Sequence, residues 1–179
     1  QSQARFQHHV HVCAGTSCTA RHSEQIITAL QKELTQHGLQ KTCAVKPVGC
    51  AGLCAVGPMV RVHTQEKAEA AAHAPSTNGA ADAVTAGSVD HEVLLHHVEP
   101  QDAPDIVATL GKTPPERLEY STNTPFFMRQ HKIVLEHCGQ VDPERIEDSI
   151  AHGGYSALVK AVTEMTPQGV IETITKSGL

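Results

Sequence analysis

The chain has 179 residues, with 40% hydrophobic but only 3% aromatic residues, and a net charge of −5 when its thirteen histidines are counted as neutral. This length allows one domain, or one domain and the beginning of another, with a core of aliphatic side chains. Lysine and arginine form no basic stripe, so a nucleic-acid partner is not expected. No apolar run approaches the roughly 18 residues of a membrane span, and no signal peptide is recognised in a sequence that begins at Gln1 and not at Met.

The first forty residues predict a strand followed by a helix. Val10 and Val12 alternate with polar residues, which is typical of a half-buried strand over residues 8–13. A helix is predicted over residues 23–37, because apolar residues recur there at helical spacing. Ser23 has the side chain that commonly caps a helix, so we expect it to be the N-cap.

Three further strands follow, two of them separated by an insertion. Strands are predicted over residues 42–48, 59–63 and 92–98, and the last two are expected to pair as a hairpin. Residues 65–90 between them contain nine alanines, interrupted by glycine and proline. They predict an exposed, mobile insertion with a helical tendency over residues 66–72.

A short second helix completes the first domain. Asp102 is predicted to cap it, and it continues through Leu110. Residues 1–111 therefore read strand, helix, strand, strand, strand, helix. This order is that of a thioredoxin-like α/β domain.

The remainder of the chain predicts a linker and then helices alone. Residues 112–124 contain Pro114-Pro115 and a run of Ser, Thr and Asn, which is typical of a linker. Four short helices are predicted over residues 125–137, 143–152, 155–164 and 167–177, three of them from a Thr or Asp that precedes a proline. Four short helices make a poor independent domain, so we expect this segment to pack on another structure.

Four of the six cysteines form two close pairs, each where a predicted strand ends. The spacing is Cys13-x4-Cys18 and Cys50-x3-Cys54, with about thirty residues between the pairs. Glycines in both loops allow close backbone approach, and neither loop carries Asp or Glu, which suits an anionic centre whose sulfurs accept N–H donors. The pattern favours a single [2Fe–2S] cluster held by four thiolates in a reducing, cytoplasmic compartment.

Other interpretations of the cysteines remain open at this point. Structural zinc also takes four thiolates, although zinc knuckles favour shorter gaps, and a pair of disulfides fits the spacing less well. Cys43 is expected to be a buried strand residue and Cys138 a structural one, as free cysteines usually are. The histidines are scattered without the helical spacing of a metal pair, and we expect them to be structural.

Two parts of the sequence resemble known families. The cysteine spacing and the order of elements resemble the thioredoxin-like [2Fe–2S] ferredoxins. The C-terminal third is similar to the opening of the NADH-binding flavoprotein subunit of complex I and of related hydrogenases and formate dehydrogenases. The segments that carry this resemblance are Phe126-Phe127-Met128-Arg129-Gln130-His131, Cys138-Gly139-Gln140-Val141-Asp142-Pro143, Gly153-Gly154-Tyr155-Ser156-Ala157-Leu158, Met165-Thr166-Pro167 and Lys176-Ser177-Gly178-Leu179.

The resemblance implies a domain plan and a role. Residues 1–111 would be the [2Fe–2S] domain, and residues 125–179 would be the helical start of a flavoprotein domain whose FMN, NAD(P) and [4Fe–4S] sites lie beyond this sequence. The cluster ligands would be Cys13, Cys18, Cys50 and Cys54, with no catalytic residue in this segment. The implied function is electron transfer between a flavin and clusters of partner subunits, among them a second thioredoxin-like ferredoxin and a catalytic hydrogenase or dehydrogenase subunit. The alternative is a structural zinc or docking module that mounts the flavoprotein on its partners.

Overall fold

The computed structural model describes residues 6–65 and 90–178, and the chain there forms one four-stranded sheet with helices. The strands are β1 (His8–Cys13), β2 (Cys43–Val48), β3 (Val60–Gln65) and β4 (Asp90–Leu95), arranged in the order β2-β1-β3-β4. Strand β1 runs parallel to β2 and antiparallel to β3, and β3 pairs with β4 as an antiparallel hairpin. The predicted strands and hairpin are therefore confirmed.

The parallel pairing of β1 with β2 decides where the cysteine loops lie. Cys13, the last residue of β1, is paired with Val48, the last residue of β2. Both strands therefore end at the same edge of the sheet, and the chain leaves each of them toward one common region. Pro47 can lie in β2 because β2 is an edge strand of the sheet described. On its outer side the described residues form no neighbouring strand whose hydrogen bonds the missing N–H would interrupt.

The described part of this domain has three α-helices: α1 (Thr16–Thr19), α2 (Ser23–Gln36) and α3 (Ala103–Ala108). Helices α2 and α3 pack on one face of the sheet, and the valines of β1 and β3 that alternate toward that face form the core with them. The predicted order of strands and helices is confirmed. The predicted cap of α2 is wrong by one residue, because His22 is the N-cap in a left-handed conformation and Ser23 is fully buried inside the first turn.

The C-terminal segment forms four helices, as predicted, but two of them are shorter than expected. They are α4 (Pro125–Met128), α5 (Ile146–Ala151), α6 (Ser156–Glu164) and α7 (Pro167–Ser177). Helix α4 ends nine residues before the predicted end, and α5 begins at Ile146 because the Asp142 side chain accepts a hydrogen bond from the Glu144 N–H in a local turn and caps no helix. At α7, the Thr166 side chain accepts a hydrogen bond from the Gly169 N–H, so the predicted cap is confirmed.

The predicted insertion at residues 65–90, with its helical tendency over 66–72, lies almost entirely outside the described residues. Among the residues described, no helix is both long and apolar enough to cross a membrane.

The packing of the core predicts a large loss of stability when a buried side chain of α2 is shortened. Leu30 of α2 is completely buried against the sheet, so Leu30→Ala should lower the free energy of unfolding by about 2–5 kcal/mol. Urea unfolding followed by circular dichroism measures this loss. The adjacent exposed residue gives the matched control, since Gln31→Ala removes no buried surface and should change the free energy of unfolding by less than about 0.5 kcal/mol.

Candidate metal centre

The four paired cysteines meet at the edge of the sheet where β1 and β2 end. Cys13 is the last residue of β1, and Cys18 lies in the single turn of α1 that follows it. Cys50 follows the end of β2, and Cys54 begins a short 3-10 turn over Cys54–Val56. The first loop is anchored to the second strand by a hydrogen bond of 2.8 Å from the Ala14 N–H to the Val48 carbonyl.

The two pairs differ in their exposure to solvent. Cys13 and Cys18 are buried, and their thiols interact with each other. Cys50 and Cys54 are exposed, with their sulfurs 3.7 Å apart. The site therefore has an inner pair beneath the surface and an outer pair at the surface. Its inner wall is apolar, formed by Met59 and other side chains: Leu53, Val56, Leu94 and Tyr120.

Without a bound cation, the environment disfavours the thiolate forms of Cys18 and Cys54 by raising their pKa values. Desolvation by burial raises the pKa of Cys18 to about 11; a hydrogen bond from the Met59 N–H opposes this shift, and the thiols of Cys13 and Cys54 add to it. The hydrogen bond with the Cys50 thiol raises the pKa of Cys54, and the charges of Cys50 and Cys13 act in the same direction. Four thiolates so close together need positive charge among them, which a metal centre supplies when it displaces the thiol protons.

Two glycines leave room for the sulfur atoms. A Cβ placed on Gly15 would lie 3.0 Å from the Cys50 Cβ and 3.3 Å from its Sγ. A Cβ placed on Gly57 would lie 2.9 Å from the Cys18 Sγ, closer than real Cβ contacts allow. Backbone donors also reach the sulfurs, since the Gly52 N–H lies 3.3 Å from the Cys50 Sγ. A side chain at either glycine would occupy space that the cysteines require.

The separation of the two outer sulfurs fits a pair of ligands on one tetrahedral metal atom. Two thiolates on one tetrahedral metal with bonds of about 2.3 Å lie about 3.8 Å apart, close to the separation of Cys50 and Cys54. A single zinc ion would instead bring all four sulfurs to this mutual distance. Within residues 6–65 and 90–178, no group of three or more His, Cys, Asp or Glu side chains is placed to hold one metal ion. A [2Fe–2S] centre takes four protein ligands, a number that the two cysteine pairs supply.

The remaining cysteines lie apart from these pairs. Cys43 is in the hydrophobic core, where burial raises the pKa of its thiol to about 12, so it is the buried strand residue that was expected. Cys138 is partly exposed, in a turn of the C-terminal segment.

The histidines are less scattered in the fold than in the sequence. His9 and His11 lie on the sheet face opposite α2 and α3, and His63 is paired directly with His9 across β1 and β3. Their rings lie beside a cavity of about 200 Å³. Burial, with the charges of Lys46 and neighbouring groups, lowers the pKa of His11 to about 3, so its ring is neutral.

Sequence reasoning missed two parts of the site. Arg21 donates a hydrogen bond of 2.7 Å to the Gly57 carbonyl and fixes the loop beneath Cys18. The turn around Gly139 contacts the loop of Cys50, with a hydrogen bond of 3.0 Å from the Gly49 N–H to the Val141 carbonyl. No local sequence pattern predicts the second contact, because more than eighty residues separate the Cys50 loop from the turn around Gly139.

Comparison with known proteins finds a family match for the N-terminal part of the chain. Residues 1–76 match the family described as thioredoxin-like [2Fe-2S] ferredoxin, which confirms the fold and the domain type predicted for this part of the chain. This family carries a [2Fe–2S] cluster. The chain is also 45% identical over 51 residues to the NADP-reducing hydrogenase subunit HndC of Solidesulfovibrio fructosivorans. That match covers 28% of this chain and 10% of the hydrogenase subunit.

Two solved structures of a thioredoxin-like [2Fe–2S] ferredoxin from Aquifex aeolicus are similar to the chain. The wild-type crystal structure at 1.5 Å resolution has 25% sequence identity and a TM-score of 0.44, with 65% of this chain and 98% of that chain covered. A second structure has 23% identity and a TM-score of 0.46, with 67% and 96% covered.

Proposed function

We propose that this chain, whose N-terminal domain is a thioredoxin-like [2Fe–2S] ferredoxin domain, transfers electrons through a cluster held by Cys13, Cys18, Cys50 and Cys54. The observation that carries the proposal is the meeting of two cysteine pairs at the edge where β1 and β2 end. In this proposal the four cysteines would hold the two irons, and the 3.7 Å between the sulfurs of the outer pair suits two ligands of one iron.

When bound, the cluster supplies one-electron transfer, and the protein controls its potential and its access to solvent. Backbone N–H groups of Gly52 and Met59 donate toward the sulfurs and stabilise their negative charge. The apolar wall around Met59 and Leu94 keeps water from the inner pair. The exposed outer pair leaves a short route for electrons to a partner that docks on this edge.

We further propose that the domain acts within an NAD(P)-dependent oxidoreductase assembled from several subunits. The support is the similarity to a subunit of an NADP-reducing hydrogenase over 51 residues. In this assembly the cluster would exchange electrons with an FMN site of the same subunit and with iron–sulfur clusters of partner subunits. Residues 125–179 would be the helical start of the flavoprotein domain. Consistent with this role, Leu158 and Val162 of α6 are 56% and 75% exposed and available to pack on further structure.

Metal and sulfide analysis with electron paramagnetic resonance tests the cluster directly. Anaerobically purified protein should contain about two irons and two acid-labile sulfides per chain, and dithionite should produce an S = 1/2 signal. One zinc per chain, without sulfide or a signal, would contradict the proposal. The chain would then be a structural module, for which the exposed apolar residues of α4–α7 favour docking on a partner.

A further inference from the structure

We propose that a distant segment, residues 139–148, acts as a clasp that holds the Cys50 loop and thereby sets the properties of the cluster. This inference rests on the proposed function, because it concerns how the same site is positioned. The clasp is a turn followed by the start of α5, and it lies about ninety residues after the loop in sequence.

The clasp contacts the residues on both sides of Cys50. On one side, the Gly49 N–H donates a hydrogen bond of 3.0 Å to the Val141 carbonyl. On the other side, Gly139 is buried against Ala51, and a Cβ added to Gly139 would lie 3.2 Å from the Ala51 Cβ and 3.3 Å from its Cα. The Cys50 backbone is therefore fixed from both neighbours by one turn.

A partly buried ion pair fastens the clasp to the strand that leads into the loop. The Asp148 carboxylate lies 2.8 Å from the Lys46 ammonium of β2 and accepts a hydrogen bond of 2.7 Å from the Asp142 N–H. Desolvation acts to raise the pKa of Asp148, but the hydrogen bonds from Lys46 and Asp142 and the charge of Lys46 outweigh it and hold that pKa below its usual range. The side chains of Lys46 and Asp148 are 22% and 14% exposed, so solvent screens this pair less than a surface pair.

The clasp contacts the outer cysteine loop at Gly49 and Ala51, the two neighbours of Cys50, and this gives it a functional consequence. Cys50 belongs to the outer pair, whose position controls the contact of the cluster with water. Release of the loop would let water approach, and water stabilises the more negative reduced state. Loss of the clasp should therefore make the reduction potential more positive, in addition to any effect on stability.

Two substitutions open the clasp by different means, and each has a matched control. Asp148→Ala removes the carboxylate that pairs with Lys46. Its control, Glu147→Ala, removes a carboxylate of the same helix that is exposed and lies 3.9 Å from the exposed Arg145 guanidinium. Gly139→Ala adds a Cβ against Ala51, whereas Gly153→Ala adds one where no atom lies within 4 Å. Both glycines have positive φ values, +78° and +84°, so the second variant controls for backbone strain.

Hydrogen exchange and the reduction potential together test the clasp. In the purified 179-residue chain, exchange of the Gly49 amide should become about tenfold faster in Asp148→Ala and in Gly139→Ala, because its acceptor on Val141 is displaced. Neither control should accelerate it. Potentiometric titration should then give a more positive potential for both clasp variants than for their controls.

Each result decides the question. Unchanged Gly49 exchange in both clasp variants would show that the segment does not hold the loop. Faster exchange at an unchanged potential would show that the position of the loop does not determine the reduction potential of the cluster. Either result overturns the proposal. If the wild-type chain contains no sulfide, the proposed function fails separately, and the Gly49 exchange still decides whether the clasp exists.

Discussion

Replacement of Cys50 by serine should remove most of the iron and sulfide from the protein while leaving its fold intact. Serine has nearly the shape of cysteine, but its alcohol is a hard and weakly acidic ligand, whereas iron in these clusters prefers thiolate. Because Cys50 is exposed and lies outside the hydrophobic core, the change should not unfold the domain. We expect iron and sulfide to fall at least about fivefold from two of each per chain. Metal analysis and the visible absorption spectrum measure the loss.

Cys138→Ser provides the control for this experiment. Cys138 is partly exposed and lies in the C-terminal segment, so it shares the chemistry of Cys50 but not its place in the two pairs. This variant should keep the iron, the sulfide and the spectrum of the wild-type chain. If Cys50→Ser kept the wild-type spectrum instead, the assignment of the four ligands would be wrong.

The sheet and the position of the cysteine pairs were predictable because their signals are local, whereas the role of the cysteines as ligands stays a prediction. The alternation of Val10 and Val12 with polar residues predicts β1. Each cysteine pair follows a strand end, and because β1 and β2 are parallel neighbours, these two ends lie side by side. The cap of α2 was not predictable from propensity, because Ser23 is fully buried as the first residue of the helix and His22 is the N-cap. Packing there outweighs the capping preference of a serine side chain.

The length of α4 was mispredicted because the apolar pattern over residues 125–137 lacks a surface to pack on. Val134 is 93% exposed and Ile133 is 74% exposed in the fold described. Short helices gain most of their stability from tertiary packing, so this pattern does not sustain a helix beyond Met128. The clasp was missed for a different reason, since a contact between Gly139 and Ala51 leaves no trace in the spacing of either segment.

Alanine at Gly57 should impair cluster binding through a single steric contact. Gly57 has a φ of −69°, which any residue adopts, so the substitution causes no backbone strain. Its new Cβ, however, would lie 2.9 Å from the Cys18 Sγ, and the buried thiol has little room to move away from it. Overpacking of this kind typically costs about 1–3 kcal/mol, which corresponds to roughly five- to 150-fold weaker retention of the cluster. The rate of cluster loss to an iron chelator measures this effect.

Gly49→Ala is the matched control, because it changes a second glycine of the same region without crowding a sulfur. The nearest atom to its added Cβ is the Val141 carbonyl oxygen at 3.8 Å, an ordinary contact, and its N–H remains available to that oxygen. This variant should lose its cluster at the wild-type rate. Equal rates for Gly57→Ala and Gly49→Ala would mean that Cys18 has freedom to move, and that the space beside Gly57 is not part of the ligand geometry. A selective effect at Gly57 would link the inner pair to the cluster independently of any cysteine substitution.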